Sequence, residues 1–295
     1  MYSKIHTKAQ PIVSIVLPCY NGELFLKLSL DSILAQTMHD WELIIIDDCS
    51  TDNSGSIADE YAAKDSRIRV IHNKQNKKLP ASLNIGFEHA HGKYFTWTSD
   101  DNIAKPDWLQ ILVNYLDSNP LTDLVSARMD YIDEHGTIFS ATNSHRNIRQ
   151  LAHICNIGAA FMYRKTIADK VGKYDENMFC AEDYDYWTRI AMCGQIDYIN
   201  ENIYQYRSNP YSLTATQQPR IQAKTSAIHN KYKNDWIRKL NLGWWGKQKL
   251  SYLVRDKSVL NPAQILCDTT IQFINILLFW NPKLRRMLKQ RIKSL

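Results

Sequence analysis

Residues 43–52 read Leu-Ile-Ile-Ile-Asp-Asp-Cys-Ser-Thr-Asp. Four apolar, mostly β-branched side chains run straight into two carboxylates, the pattern of a strand buried on both faces. The same arrangement recurs on either side. Upstream, Ile12 to Leu17 is apolar apart from Ser14 and ends at Pro18; downstream, Tyr94 to Trp97 leads into Ser99-Asp100-Asp101. Between these runs the sequence turns helical. Asn21 is placed to cap a helix whose apolar face is Leu26, Leu30, Ile33 and Leu34. Thr51 to Ser54 opens a second helix with Ile57, Ala58 and Tyr61 inward, Arg69 to His72 reads as a further strand, and Leu83, Phe87 and Ala90 mark a third helix. Strands alternating with helices predict an α/β fold, a mainly parallel sheet flanked by helices with right-handed crossovers. Ligands of such sheets bind at the carboxyl ends of the strands, where Asp47-Asp48 and Asp100-Asp101 fall. Acids gathered there suit a hard divalent cation and the phosphates it neutralises. A third cluster, Glu182-Asp183, opens a helix over 182–193 and offers a carboxylate base for a transfer reaction.

Beyond Pro106 the alternation changes. Asp107 to Ser118 reads as a helix, Leu124 to Phe139 as a hairpin around Asp133-Glu134-His135-Gly136, Ile157 to Tyr163 as a strand, and Ile196 to Tyr206 as two short strands. From about residue 216 the chain reads as a basic helical extension. The net charge of +6 hides an asymmetry: residues 1–219 carry 20 Lys+Arg against 27 Asp+Glu, and residues 220–295 carry 16 against 3, a local +13. Such a tail expects an anionic partner, and by charge alone a nucleic acid and a membrane face both fit. From Gln264 to Trp280 one polar stripe (Gln264, Asp268, Gln272, Asn275) faces an otherwise apolar surface, with Lys and Arg following. That is the pattern of an interfacial helix, and equally of a helix packed on the body or on a second subunit.

The six cysteines form no C-x-x-C pair, the first ten residues lack a signal-peptide core, and no 18-residue apolar run occurs. A cytosolic protein is expected. The nine histidines form no H-E-x-x-H, no G-x-G-x-x-G follows a strand, and no G-x-x-x-x-G-K-[ST] occurs. A zinc hydrolase, a dinucleotide oxidoreductase and a P-loop NTPase are therefore disfavoured.

Val13 to Gly22, Asp47 to Asp52, Trp97-Thr98-Ser99-Asp100-Asp101-Asn102 and Glu182 to Trp187, in this order and spacing, resemble the motifs of family-2 glycosyltransferases. The match covers residues 11 to 215. The resemblance implies a GT-A fold, Rossmann-like, with a nucleotide-binding half over 11–105 and an acceptor half over 106–215. It implies a nucleotide-sugar donor, UDP-linked for preference, a divalent cofactor (Mn²⁺ or Mg²⁺) and inversion at the anomeric carbon. It further implies that Pro18, Tyr20, Asn21 and Asp48, with Asp47 second, hold the nucleotide base. Lys78 approaches the pyrophosphate, and Asp100 reaches the ribose or the metal. Asp101 is the expected direct metal ligand. Asp183 is the expected base that deprotonates the acceptor, with Glu182 orienting it. Thr98 departs from the commoner D-x-D-D pattern. The Q-x-x-R-W motif of processive synthases is absent, which favours transfer of one sugar. The expected partners are the donor, a glycan or lipid-linked glycan acceptor on a cell-surface carrier, an anionic membrane at the tail and a second copy, with no nucleic acid. The expected location is the cytoplasm, peripheral on the inner membrane. Two other readings stay open: a catalytically silent GT-A-like binding or scaffold protein, and a sugar nucleotidyltransferase.

Overall fold

The computed structural model describes residues 10–241; the stripe Gln264 to Trp280 and most of the basic tail lie outside them. The order of elements is β1 (Val13–Cys19), α1 (Glu23–Leu34), β2 (Trp41–Asp47), α2 (Ser54–Lys64), β3 (Ile68–His72), α3 (Leu79–Glu88), β4 (Tyr94–Trp97), β5 (Ile103–Ala104) and α4 (Trp108–Ser118). There follow β6 (Leu124–Ile132), β7 (Ile138–Ala141), α5 (Ile148–Leu151), β8 (Phe161–Arg164), α6 (Lys165–Val171), a 3-10 turn (Glu176–Met178), α7 (Glu182–Cys193), β9 (Ile196–Arg207), α8 (Leu213–Thr216) and α9 (Gln218–Lys239). Among the described residues the strands form one sheet in the order β3-β2-β1-β4-β8-β6-β9-β5, with β7 paired to β6. The β3-β2-β1-β4 half is wholly parallel, and β4/β8, β8/β6, β6/β7 and β9/β5 are antiparallel.

Burial explains why the central strands read as unbroken apolar runs. Successive side chains of a strand point to opposite faces, and both faces here are covered. Ile15 and Leu17 of β1 and Leu43 and Ile45 of β2 enter a core shared with α1 and α4; Val16, Ile44 and Ile46 enter a second core shared with α3, α7 and α9. All seven residues of β2 are buried.

Several sequence expectations need correction. Asn21 does not cap α1: Gly22 holds the N-cap, and Asn21 sits at φ 53° with its side-chain oxygen accepting from Thr51 N–H at 2.8 Å. The Asn side chain reaches across to the next loop instead of back to its own helix. The strand expected over 157–163 is confined to Phe161–Arg164. The two strands expected over 196–206 are one, β9, whose pairing with β6 slips twice. Leu34 is partly exposed, while Leu26, Leu30 and Ile33 are buried as expected. The start of the expected helical extension is α9, which packs on α7 through buried Ile228, Tyr232 and Trp236.

Candidate active site

The β1–α1, β2–α2 and β4–β5 turns converge at the carboxyl ends of the parallel strands. Four of the five non-glycine residues with positive φ among the described residues flank the predicted acids: Asn21 (53°), Cys49 (65°), Lys78 (74°) and Cys180 (78°). Strain of this kind persists only where the surroundings impose it, and it gathers at functional sites.

Asp47 and Asp48 point to opposite sides. Asp47 closes its own turn: one oxygen accepts from Ser50 N–H at 3.0 Å and the other meets His72 Nδ1 at 2.9 Å, and these bonds hold its carboxyl below the ordinary range despite burial. Asp48 instead shapes the loop before α3. Its carboxylate accepts from Asn73 Nδ2 at 2.7 Å, Lys77 N–H at 2.8 Å and Lys78 N–H at 2.8 Å. Lys78 thus meets Asp48 through its backbone, and its side chain stays exposed. Tyr20 is half exposed beside them, and Pro18 is partly buried.

Asp100 and Asp101 follow β4. Asp100 packs so tightly on the β1–α1 turn that a Cβ on Gly22 would lie 2.1 Å from its Oδ2. Burial, and then the charge of Asp101, push the Asp100 carboxyl up to about 7; the Cys19 thiol and Tyr20 N–H ease its charge only in part. Asp101 accepts from Ser99 Oγ at 2.5 Å and Asn209 Nδ2 at 2.8 Å, and burial raises its pKa too. Thr98, at the position of the missing acid, is buried and hydrogen-bonded to Tyr204 OH. Arg207 staples this turn to the β6–β7 hairpin. Its guanidinium, buried to 1 % exposure, donates to the carbonyls of Asp101 (2.9 Å), Asp133 (2.9 Å) and Glu134 (3.0 Å) and packs over the Phe25 ring.

Glu182 and Asp183 open α7. Glu182 is buried and accepts from Cys180 N–H at 2.7 Å. Asp183 accepts from Tyr184 N–H at 2.7 Å and from the Cys155 thiol at 3.5 Å. Burial raises both carboxyls, and Asp183 raises Glu182 further. The third acid of this motif has a different task. Asp185 is fully buried and accepts from Arg189 (2.8 Å), Lys231 (3.0 Å) and Tyr232 OH (2.9 Å), which ties α7 to α9. Tyr186 and Trp187 are core residues.

The contrast between these acids and the rest of the body is chemical. Of the buried carboxylates elsewhere, Glu42 meets Arg69, Asp47 meets His72, Asp130 meets Lys105 and Asp185 meets Arg189 and Lys231, while Asp48 has only neutral hydrogen-bond donors. Asp100, Asp101, Glu182 and Asp183 form no ion pair among the described residues. Carboxylates at low dielectric without an ion-pair partner favour binding a proton or a cation, and the nearby Arg207 charge offsets that of Asp101 only in part. Asp100 and Asp101 offer hard oxygen donors with surplus negative charge, which fits Mg²⁺ or Mn²⁺. They are two rather than three, and among the described residues no larger cluster of metal-ligating side chains occurs.

Sequence reasoning missed Cys19, Gly22, Asn73, Cys155, Arg207 and Asn209. All act on a site residue distant in sequence; Cys19 and Gly22 lie within a motif quoted above, and no local pattern marks the other four.

The model of glycosyl transferase family 2 matches residues 14–172. An uncharacterized glycosyltransferase of Methanocaldococcus jannaschii is 31% identical over 270 residues, 87% of this chain and 92% of that protein. One from Haemophilus influenzae is 28% identical over 274 residues, 87% and 80% of the two chains. Among solved structures, S. aureus TarS in complex with UDP-GlcNAc superposes at a TM-score of 0.65 with 16% identity, over 82% of this chain and 70% of that one. The mannosyltransferase PcManGT from Pyrobaculum calidifontis, in complex with GDP-Man and Mn²⁺, gives 0.61 with 17% identity, over 93% and 82%. At these identities the structural likeness is one of fold.

Proposed function

The chain belongs to glycosyl transferase family 2 and is a glycosyltransferase of GT-A fold, and from that premise we propose that it moves one sugar from a UDP-linked donor to a hydroxyl of a growing cell-surface glycan, inverting the anomeric carbon. The observation that carries this reading is the two carboxylate sets at the strand ends and at the start of α7, Asp100-Asp101 and Glu182-Asp183, which form no ion pair among the described residues and whose carboxyls are raised by desolvation.

In this reading Tyr20, Pro18 and Asn21 face the nucleotide base, with Asp48 ordering the wall formed by residues 73–78. Asp47 serves the turn, and Lys78 lends its charge to the diphosphate. Asp101, with Asp100, would hold Mn²⁺ or Mg²⁺, which when bound offsets charge growing on the leaving diphosphate. Asp183 takes the proton from the acceptor hydroxyl as it attacks. Its raised pKa suits it to hold that proton, and the Cys155 thiol and Tyr184 N–H fix the carboxylate's direction. Glu182 locks the Cys180 turn beneath it. The +13 of residues 220–295 supports work at an anionic cytoplasmic membrane surface. Among the described residues no helix is long and apolar enough to cross a membrane.

A panel of nucleotide sugars screened by thermal shift with Mn²⁺ tests the donor. A ligand at about 100 times its Kd stabilises by roughly 2.7 kcal/mol. Hydrolysis of the stabilising donor without acceptor separates an enzyme from a silent binding protein. Stabilisation by no nucleotide sugar would falsify the donor reading.

A further inference from the structure

The β6–β7 hairpin carries apolar side chains that packing does not require. β7 is an edge strand paired only to β6 among the described residues, and all four of its residues are exposed, Ile138 by 54 % and Phe139 by 61 %. An edge strand bearing large apolar groups is an aggregation hazard that proteins ordinarily blunt with charge. Here the exposed ring ends a series. Phe139 lies 6.4 Å from Tyr131, and Tyr131 lies 5.9 Å, edge to face, from Tyr206. Tyr131 and Tyr206 are opposite each other in the β6/β9 register. Tyr206 is followed by Arg207 and Asn209, the two residues that hold Asp101. The row of rings therefore runs across β9, β6 and β7, from the partly buried Tyr206 and Tyr131 beside the carboxylate turn to Phe139 at the surface.

We propose that Tyr206, Tyr131 and Phe139 form a stacking platform for the sugar rings of a saccharide acceptor, guiding its terminal hydroxyl to the acids. The inference rests on the transferase reading above. The C–H-bearing face of a pyranose is apolar and carries slight positive charge, and an aromatic face is apolar and carries the opposite charge. Such a surface selects a chain of sugars by shape, without ionic contacts. The rim supplies the polar partners that hydroxyl groups need: Tyr206 OH lies 3.3 Å from Thr214 Oγ1, and Tyr211 stands 86 % exposed on the next turn. A saccharide on this row thus reaches the turn that carries Asp101, through Arg207 and Asn209.

The test uses the full chain, the donor identified by hydrolysis, and a glycan extract from cells lacking this protein, in which unmodified acceptor accumulates. Phe139 is exposed, so Phe139→Ala should fold. Its transfer efficiency for the extract should fall about tenfold, the scale of one lost aromatic contact, while donor hydrolysis keeps its kcat and KM. Phe139→Trp should restore transfer. A Phe139→Ala protein that transfers normally overturns the platform, as does one whose hydrolysis falls in step with transfer. Loss of transfer that tracks dissociation of a dimer in sedimentation velocity also overturns it, and assigns the strand to a second copy. A wild type that hydrolyses donor but modifies nothing in the extract overturns the saccharide acceptor alone. A wild type inactive in both assays refutes the transferase reading itself.

Discussion

Asp183 accepts from Tyr184 N–H on one oxygen and from the Cys155 thiol on the other, so replacing it with Asn preserves size and the Tyr184 bond, gives up the thiol's acceptor and removes the ability to take a proton. Asp183→Asn should slow turnover about 10²–10⁴-fold, the usual share of a positioned base. Donor affinity, read by titration calorimetry, should stay within about twofold; a collapse of donor binding would instead move Asp183 to the nucleotide. Asp100 gives a prediction with a definite sign. Its folded pKa is raised from 3.8 to about 7, so the folded chain binds this proton more tightly than the unfolded chain. The stability it contributes is complete at acid pH and lost as pH rises toward about 7. Glu182 and Asp183, also raised, act in the same direction. The ligand-free protein should therefore melt at progressively lower temperature from about pH 5 to pH 8, a window above the depressed carboxyls such as Asp130. Asp100→Asn should flatten that slope, and a flat wild-type profile would refute the burial of Asp100. At Gly22 the margin is steric: Gly22→Ala puts a methyl carbon where the Asp100 carboxylate lies. Metal-dependent nucleotide binding should be lost in that variant, measured by calorimetry with and without Mn²⁺.

At the scale of elements, β1, β2, α1 and α4 were legible because period and burial coincide: a strand covered on both faces has no polar interruption, and a helix against one core shows one apolar stripe. What local pattern could not convey was direction. The pair Asp47-Asp48 looks uniform in sequence, yet alternation along the chain turns one acid toward His72 and the other toward the Lys77–Lys78 backbone. The Glu182-Asp183-Tyr184-Asp185 run hid a division of labour for the same reason. Helical rotation carries Asp185 into the α7–α9 interface, while Asp183 faces Cys155. Nor could sequence show that Lys231 and Tyr232, forty-odd residues on, complete its shell. Asp185→Ala leaves Arg189 and Lys231 facing each other without their shared anion. The loss should approach about 3 kcal/mol, the lower end for breaking a buried pair because both cations retain some exposure. The melting temperature should drop by roughly 6–12 °C. An unchanged melting temperature would show that the contact adds nothing to stability.

For the molecule as a whole, charge and packing draw different boundaries. Composition turns from acidic to basic at residue 220, within the first turn of α9, yet α9 inserts Trp236, at 2 % exposure, into the core shared with α3 and α7. Ending the chain at residue 217 should expose that core, bind a hydrophobic dye and precipitate. Ending it at residue 241 should leave a soluble protein that still binds donor. If residues 242–295 bear the membrane contact, only the longer protein should sediment with anionic vesicles, and less so in high salt. One further feature limits how the fold can be recombined. Among the described residues Arg207 forms no ion pair within contact distance; its three hydrogen-bond acceptors are backbone carbonyls from two separate turns. A lysine carries a single ammonium and does not span that fork. Anyone exchanging the 131–141 hairpin between relatives to change acceptor preference must therefore move residues 101–102 and 207–209 with it. The inheritable cassette is a discontinuous one, assembled by a guanidinium and invisible to any cut made along the sequence.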